Sequence, residues 1–226
     1  MNLQTTMDSN ALGNIELQHK SQFWKFVIPI LTVIWLGVIV AGLLTIWKYE
    51  TTPGEITRPP TQWPANSRIT LSVDRPTLIV FAHPRCPCTR ATIGELAVLV
   101  AHCPESANYH VLFVKPSGLS AGWEKSDLWS SAEAIPNVTV LCDEEGFEAR
   151  RFHAGTSGYS LLYNSNGHLL FRGGITSSRG HAGDNAGRSA IESILLNNAT
   201  DQKQQTFVFG CPLLNRDKSC DTADQK

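Results

Sequence analysis

Residues 77–90 read TLIVFAHPRCPCTR, and they contain the most informative strand and helix signals of the chain. Its first six residues are an unbroken apolar run, which is typical of a strand that is buried on both faces of a sheet. Apolar residues then recur at helical spacing over 91–102, and proline is favoured in the first turn of a helix. We therefore predict a strand at 77–82 and a helix that begins near Pro87, with Cys86 as its N-cap.

Alternating strand and helix patterns continue after this stretch. Apolar runs and periodicities predict strands at 109–114, 138–141, 159–163 and 168–172, and helices at 126–135, 144–152 and 185–196. An alternating run also predicts an edge strand at 69–73. This order of elements predicts an α/β domain with a mixed sheet that is flanked by helices.

One segment before the domain is long enough to cross a bilayer. Residues 26–47 are 22 residues without a charge, and Lys25 and Lys48 flank them. At about 1.5 Å per residue, such a helix matches a hydrocarbon core of about 30 Å. A cleavable signal peptide is the alternative, but its apolar core is typically only about 7–15 residues long. We expect a retained transmembrane anchor in the lipid bilayer, preceded by a short cytoplasmic tail at 1–25.

The rest of the chain divides by composition. A Pro-rich run predicts an extended stalk at 48–75, followed by the folded domain at 76–198 and a polar tail at 199–226. All 6 cysteines follow the anchor, which favours an oxidising compartment outside the cytoplasm, the periplasm in a bacterium. The 19 basic and 20 acidic residues nearly cancel, which argues against nucleic-acid binding. A single apolar span excludes a multi-span transporter.

Cys86 and Cys88 are the candidate catalytic residues. A cysteine at the start of a helix lies near open N–H groups and the positive end of the helix dipole, which favour the thiolate and lower its pKa. We expect Arg85 and Arg90 to act in the same direction. Cys86 would then attack a disulfide and Cys88 would resolve the mixed disulfide, without an organic cofactor. The predicted partners are a protein thiol or disulfide and a membrane-side electron donor or acceptor.

Three other functional interpretations use the same residues. Two soft thiolates with His83 nearby form a ligand set for Cu(I), which would make the protein a copper chaperone. A thiol peroxidase would use Cys86 as the peroxide-reactive sulfur, with Thr89 or Arg90 as helpers. Two buried structural cysteines would be inert.

Cys211 and Cys220 lie in the polar tail, and we favour a structural disulfide between them. In the alternative, the piece at 209–213 packs an apolar patch onto the domain and brings Cys211 near the active pair as an extra electron donor. The glycine-rich loop at 173–188 matches no phosphate-binding motif, and we interpret it as a flexible connection. In the alternative interpretation, this loop folds over the turn that carries Cys86 and Cys88 (the redox turn), and His181 is a proton donor or metal ligand.

The stretch from Pro76 to about Leu196 resembles the thioredoxin-like superfamily, in particular its membrane-anchored TlpA/ResA type. The resemblance is carried by VFAHPRCPC at 80–88, VLCD at 140–143 with EGF at 145–147, and LLYNSNGHLLF at 161–171. The run HPRCPCTR, together with GGIT at 173–176, also resembles proteins labelled RedB. The resemblance implies a thioredoxin-like fold, a redox function and Cys86 as the nucleophile.

The sequence departs from the family pattern at two positions. Thr89 stands where the family has its second cysteine, so that Cys88 lies one residue early. Gly158 stands where a cis-proline usually faces the redox pair, shapes substrate docking and keeps metals off the thiols. The second departure favours the copper alternative, and ordinary thioredoxin-type substrate choice does not carry over.

Overall fold

The computed structural model describes residues 4–55, 57–197 and 204–214. The chain divides into two units, Met1–Tyr49 and Glu50–Lys226. Helix α1 spans Gln4–Thr51, and its portion Trp24–Thr51 is long and apolar enough to cross a membrane. Membrane anchors and N-terminal signal sequences share this length and composition, so the transmembrane anchor stays a prediction.

The second unit is built on one mixed sheet with the strand order β3-β2-β1-β4-β5-β6. The strands are β1 (Thr77–Ala82), β2 (Asn108–Lys115), β3 (Val138–Glu144), β4 (Tyr159–Tyr163), β5 (Leu169–Gly173) and β6 (Gln204–Gln205). β1, β2 and β3 run parallel, whereas β4 is antiparallel to both β1 and β5. The helices that connect them are α2 (Pro87–His102), α3 (Asp127–Glu133), α4 (Phe147–Arg151) and α5 (Ala186–Asn197).

β1 is buried along its whole length, because it lies between β2 and β4 and both of its faces are covered. Leu78 and Val80 pack in one apolar cluster, which includes residues of α2 and α5. Ile79 and Phe81 pack in a second cluster, which includes residues of α4 and of the C-terminal segment. A strand of this kind shows no polar alternation, which is why the apolar run predicted it. Where the run ends, the chain leaves the sheet directly into the turn that carries Cys86.

The predicted fold class, a mixed sheet flanked by helices, is confirmed. β1 and β4 have the predicted bounds, and the other predicted elements in 76–198 differ by one to three residues at their ends. The edge strand predicted at 69–73 is wrong, because these residues are irregular. Ile69 is buried in an apolar cluster, so the alternating pattern reflects one-sided packing of a loop rather than strand pairing.

The segment predicted as a stalk packs on the domain. The ring of Trp63 lies edge-on to Phe152 and to Tyr163, with centroid distances of 5.2 Å in both cases. The Ser67 hydroxyl donates a hydrogen bond to the Glu148 carboxylate at 2.7 Å. The segment therefore packs on the domain, whereas a free spacer would make no such contacts.

The part of the polar tail that the structure describes also packs on the domain. β6 pairs in parallel with β5, and the Thr206 N–H continues the pairing by donating to the Arg172 carbonyl at 3.1 Å. Val208 and Leu213 are buried in the second apolar cluster. Cys220 lies outside the described residues, so its pairing with Cys211 stays a prediction.

Candidate active site

The turn between β1 and α2 places Cys86 at the N-cap of α2, with Pro87 in the first helical position, as predicted. Its backbone is extended, with φ −91° and ψ 120°. The Cys86 N–H donates to the His83 carbonyl at 3.2 Å, and the Thr89 N–H donates to the Cys86 carbonyl at 3.0 Å.

The sulfur of Cys86 lies against that of Cys211, 125 residues further along the chain, with the two Sγ atoms 2.9 Å apart. Cys86 is only 1% exposed, and Cys211 is half-buried. This is the arrangement of the alternative interpretation, in which the piece at 209–213 packs on the domain and brings Cys211 to the active pair.

Backbone contacts hold Cys211 in this place. The Ser157 N–H donates to the Cys211 carbonyl at 2.8 Å, and the Leu213 N–H donates to the Gly155 carbonyl at 2.9 Å. Gly210 allows the two backbones to approach, because a Cβ atom there would lie 2.0 Å from the Ser157 carbonyl oxygen. The segment 209–213 is therefore held like a short antiparallel strand against the residues that precede β4.

Gly158 holds those residues beside the redox turn. Its N–H donates to the Phe81 carbonyl at 2.7 Å, next to the pairing of β1 with β4. Its φ of +90° is in a region that favours glycine, and a Cβ atom would lie 2.9 Å from the Thr92 Oγ1 of α2. The peptide bonds of the described residues are all trans, including those of Gly158.

The three thiols of the site differ in pKa. Burial raises the pKa of Cys86, but hydrogen bonds from Cys211 and Thr89 outweigh burial, and the net result is a lowered pKa. Burial and the negative charge of Cys86 raise the pKa of Cys88. Burial and the hydrogen bond to Cys86 raise the pKa of Cys211 to about 12. Cys86 therefore ionises first, and the other two thiols keep their protons.

Arg179 is a site residue that the sequence analysis missed. Its guanidinium lowers the pKa of both Cys88 and Cys211, against the larger effect of burial. Its Nη1 donates to the Gly210 carbonyl at 2.6 Å, which ties the 173–188 loop to the tail. Arg179 is thus the residue of this loop that acts on the thiols, whereas His181 is exposed. The available signal was that Arg179 is one of only two arginines in the glycine-rich loop at 173–188.

Thr89 joins the redox turn to the residues before β4. Its hydroxyl lies 2.7 Å from the Ser157 Oγ and donates to the His83 carbonyl at 3.2 Å. The Thr89 side chain is buried. It therefore contributes polar contacts that fix the turn, in addition to its effect on the pKa of Cys86.

His83 packs against Trp123, with a ring-centroid distance of 5.8 Å. Its Nδ1 accepts a hydrogen bond from the Arg85 N–H at 3.2 Å, and burial and the Arg85 charge lower its pKa. Among the described residues, no group of three or more His, Cys, Asp or Glu side chains is placed to hold a metal ion. The copper alternative, with Cys86, Cys88 and His83 as ligands, stays a prediction.

Arg85 and Arg90 have partners other than Cys86. The Arg85 guanidinium lies over the Trp123 ring, 4.9 Å from its centroid, and Arg90 forms an ion pair with Asp127. The largest effects that lower the Cys86 pKa are hydrogen bonds from Cys211 and Thr89 rather than either arginine. Proximity in sequence was misleading here, because both side chains find partners on the chain that leads into α3.

Neither the family models nor the curated protein sequences give a match to this chain. Solved structures do resemble it. An uncharacterized conserved protein from Geobacillus kaustophilus has 16% identity and a TM-score of 0.55, over 75% of this chain and 95% of that one. A hypothetical protein from Sinorhizobium meliloti 1021 has 15% identity and a TM-score of 0.51, over 72% and 93%. A thioredoxin-like protein in its oxidised form has 16% identity and a TM-score of 0.42, over 66% and 94%. At these identities the likeness concerns the fold.

Proposed function

Because the domain has a thioredoxin-like fold with two cysteines where α2 begins, we propose that the protein is a thiol–disulfide oxidoreductase. One observation carries the proposal. Of the five described cysteines, Cys86 has a lowered pKa, whereas the pKa values of Cys88, Cys103, Cys142 and Cys211 are raised. A thiolate is the attacking group in disulfide exchange, so Cys86 is the nucleophile.

The exchange proceeds in two displacements. The Cys86 thiolate attacks one sulfur of a protein disulfide, and the other substrate sulfur leaves as a thiolate. Cys88, after losing its proton, attacks the Cys86 sulfur and releases the second substrate thiolate, which leaves a Cys86–Cys88 disulfide. Arg179 favours the ionised form of Cys88 that this second step needs. The same steps in reverse pass the disulfide to a substrate dithiol.

The location belongs to the same proposal. The apolar portion of α1 supports a membrane anchor, and the cysteines that follow it support an oxidising compartment. The partners are then a protein thiol or disulfide and a membrane-side donor or acceptor of electrons. A reporter that is active only outside the cytoplasm, fused after Lys226, tests this location. Activity of the fusion supports it, and an inactive but expressed fusion contradicts it.

The activity is tested with the full-length protein in detergent, by following the reduction of insulin by dithiothreitol. Cys86→Ser should abolish the catalysed rate, whereas the control Cys142→Ser should retain it, because Cys142 lies in β3 with a pKa raised to about 11. Retained catalysis in Cys86→Ser contradicts the proposal.

The copper alternative is tested with the same preparation. We expect a reversible thiol–disulfide couple in a redox titration and only weak binding of Cu(I). Tight binding of one Cu(I) per chain, without a reversible couple, would instead identify a copper chaperone.

A further inference from the structure

The docked tail covers the nucleophile of the proposed reaction. Cys86 is 1% exposed and Cys88 is 7% exposed, whereas Cys211 is half-buried. A folded protein substrate cannot reach the Cys86 sulfur while the segment 209–213 is in place. Of these three cysteine residues, Cys211 is the most exposed to solvent.

We propose that Cys211 is a third redox-active cysteine, which forms a disulfide with Cys86 and is the sulfur at which the external substrate exchanges. This inference rests on the proposed function and adds the route by which electrons pass between the substrate and Cys86, which is through Cys211. The Sγ atoms are 2.9 Å apart, against about 2.05 Å in a disulfide, so bond formation needs only a small movement. Backbone hydrogen bonds on both sides of Cys211 already hold it in register with Ser157 and Gly155.

The difference in pKa sets which sulfur leaves. When a substrate thiolate attacks the Cys211 sulfur of a Cys86–Cys211 disulfide, the sulfur–sulfur bond breaks and Cys86 departs as a thiolate. Cys86 has the lower pKa of the two, and a thiol of lower pKa is the better leaving group. Attack at Cys86 is disfavoured both by its burial and by the high pKa of the Cys211 that would have to leave.

The electrons balance within one substrate dithiol. The first attack joins a substrate sulfur to Cys211 and frees the Cys86 thiolate. A second substrate thiolate then attacks the substrate sulfur of this mixed disulfide, so that a substrate disulfide forms and Cys211 leaves as a thiolate that takes up a proton. Two electrons thus pass from the substrate dithiol, which is oxidised, to the Cys86–Cys211 disulfide, which is reduced. The reverse sequence reduces a substrate disulfide.

Arg179 is placed to assist both exchanges around Cys86. Its guanidinium favours the thiolates of Cys211 and Cys88, which are the two groups that trade places as partners of Cys86. Attack of the Cys88 thiolate on Cys86 converts the Cys86–Cys211 disulfide into a Cys86–Cys88 disulfide and frees Cys211. The Cys-Pro-Cys pair would then hold the disulfide while the tail thiol is released.

The direct test is a disulfide map of the full-length protein in detergent. Trypsin should produce the peptides 86–90, 204–216 and 219–226, which separate Cys86 and Cys88 from Cys211 and from Cys220. The Cys88→Ser protein is oxidised with one equivalent of oxidised glutathione, and free thiols are then blocked with N-ethylmaleimide. We expect a cross-link between 86–90 and 204–216. A cross-link of 204–216 to 219–226, or glutathione retained on 86–90, would overturn the proposal.

A kinetic test separates this inference from the proposed function. Cys211→Ser should lower the rate of insulin reduction at least about tenfold, whereas Cys142→Ser, the other half-buried cysteine, should not. An unchanged rate in Cys211→Ser together with an inactive Cys86→Ser would refute the role of Cys211 and leave the proposed function standing. An active Cys86→Ser would refute both. The disulfide map keeps the test decisive if Cys211→Ser folds poorly, because that map uses a chain with Cys211 in place.

Discussion

The two ends of helix α2 carry cysteines that are equally buried but whose pKa values are shifted in opposite directions. Cys86 at the N-cap is 1% exposed, and Cys103 at the C-cap is 0% exposed. The pKa of Cys86 is lowered by hydrogen bonds in spite of burial, whereas burial and the charge of Glu192 raise the pKa of Cys103. Burial alone therefore gives an inert thiol.

What separates the two ends is the set of groups that face the sulfur. The N-terminal end of a helix offers open N–H groups and positive potential, and here it also meets the Cys211 thiol. The C-terminal end offers carbonyl groups and negative potential, and the Cys103 N–H is already bonded to the Leu99 carbonyl at 2.9 Å. One helix thus has a reactive end and a structural end.

Serine substitutions at the two ends should have different effects: one should lower the exchange rate and the other should lower the stability. These are the largest effects that we expect. Cys86→Ser should lose at least about a hundredfold in exchange rate, because the attacking thiolate is gone, with little change in stability. Cys103→Ser should keep the rate but lose about 1–3 kcal/mol of unfolding free energy, because it places a hydroxyl in an apolar cluster. Insulin reduction and urea unfolding measure the two quantities. Equal losses of rate would remove the distinction between the ends.

Gly210→Ala tests whether the docked tail contributes to the reactive end. The added Cβ would meet the Ser157 carbonyl at 2.0 Å, so the tail must shift. We expect the Cys86 pKa to rise and the exchange rate to fall about 10- to 100-fold, since misplacing a reacting group by about 1 Å costs up to about a hundredfold. Gly94→Ala is the matched control, because a Cβ at Gly94 of α2 meets no atom within 4 Å. Equal rates in the two variants would show that the tail is dispensable.

Arg179→Gln removes a positive charge near Cys88 and Cys211 and tests how much this charge contributes to exchange at the reactive end of α2. The pKa values of both thiols should rise further, since Arg179 lowers them. We expect the exchange rate to fall about fivefold, as is usual for a charge interaction of about 1 kcal/mol. Arg179→Lys should recover part of the rate. If neither variant changes the rate, Arg179 serves only to anchor the Gly210 carbonyl.

Arg85→Gln should have the smallest effect. Because the Arg85 guanidinium lies over Trp123, its loss should change the exchange rate by less than about twofold. The pKa of His83 should rise, since the Arg85 charge helps to lower it, and NMR titration of the ring measures this. A tenfold loss of rate would restore the idea that Arg85 stabilises the Cys86 thiolate.

Local pattern was enough to predict the elements around the site. The bounds of β1, the N-cap at Cys86 and the bounds of β4 follow from short apolar runs and from proline at a helix start. Each of these features depends on residues that are close in sequence. The orientations of Arg85 and Arg90 do not, because their partners Trp123 and Asp127 belong to a later part of the chain.

Contacts over long sequence separations account for the rest. The 2.9 Å approach of Cys211 to Cys86 joins residues 125 apart, and nothing in the spacing of the cysteines distinguishes this pairing from a tail disulfide. Trp63 likewise packs on Phe152 from a proline-rich segment whose composition is typical of a spacer. A sequence pattern concerns residues that are close together in the chain. The site is assembled from four separate parts of the chain: the turn that carries Cys86, the residues that precede β4, the loop at 173–188 and the segment 209–213.

The central claim is that Cys86 is a thiolate where Cys103 is not, and the pH dependence of thiolate ultraviolet absorbance tests it most directly. The reduced full-length protein is titrated beside Cys86→Ser and Cys103→Ser, and each difference curve isolates one sulfur. The Cys86 curve should have its midpoint below that of free cysteine, and the Cys103 curve should have its midpoint above it. A Cys86 midpoint at or above that of Cys103 would show that the N-terminal end of α2 does not favour the thiolate.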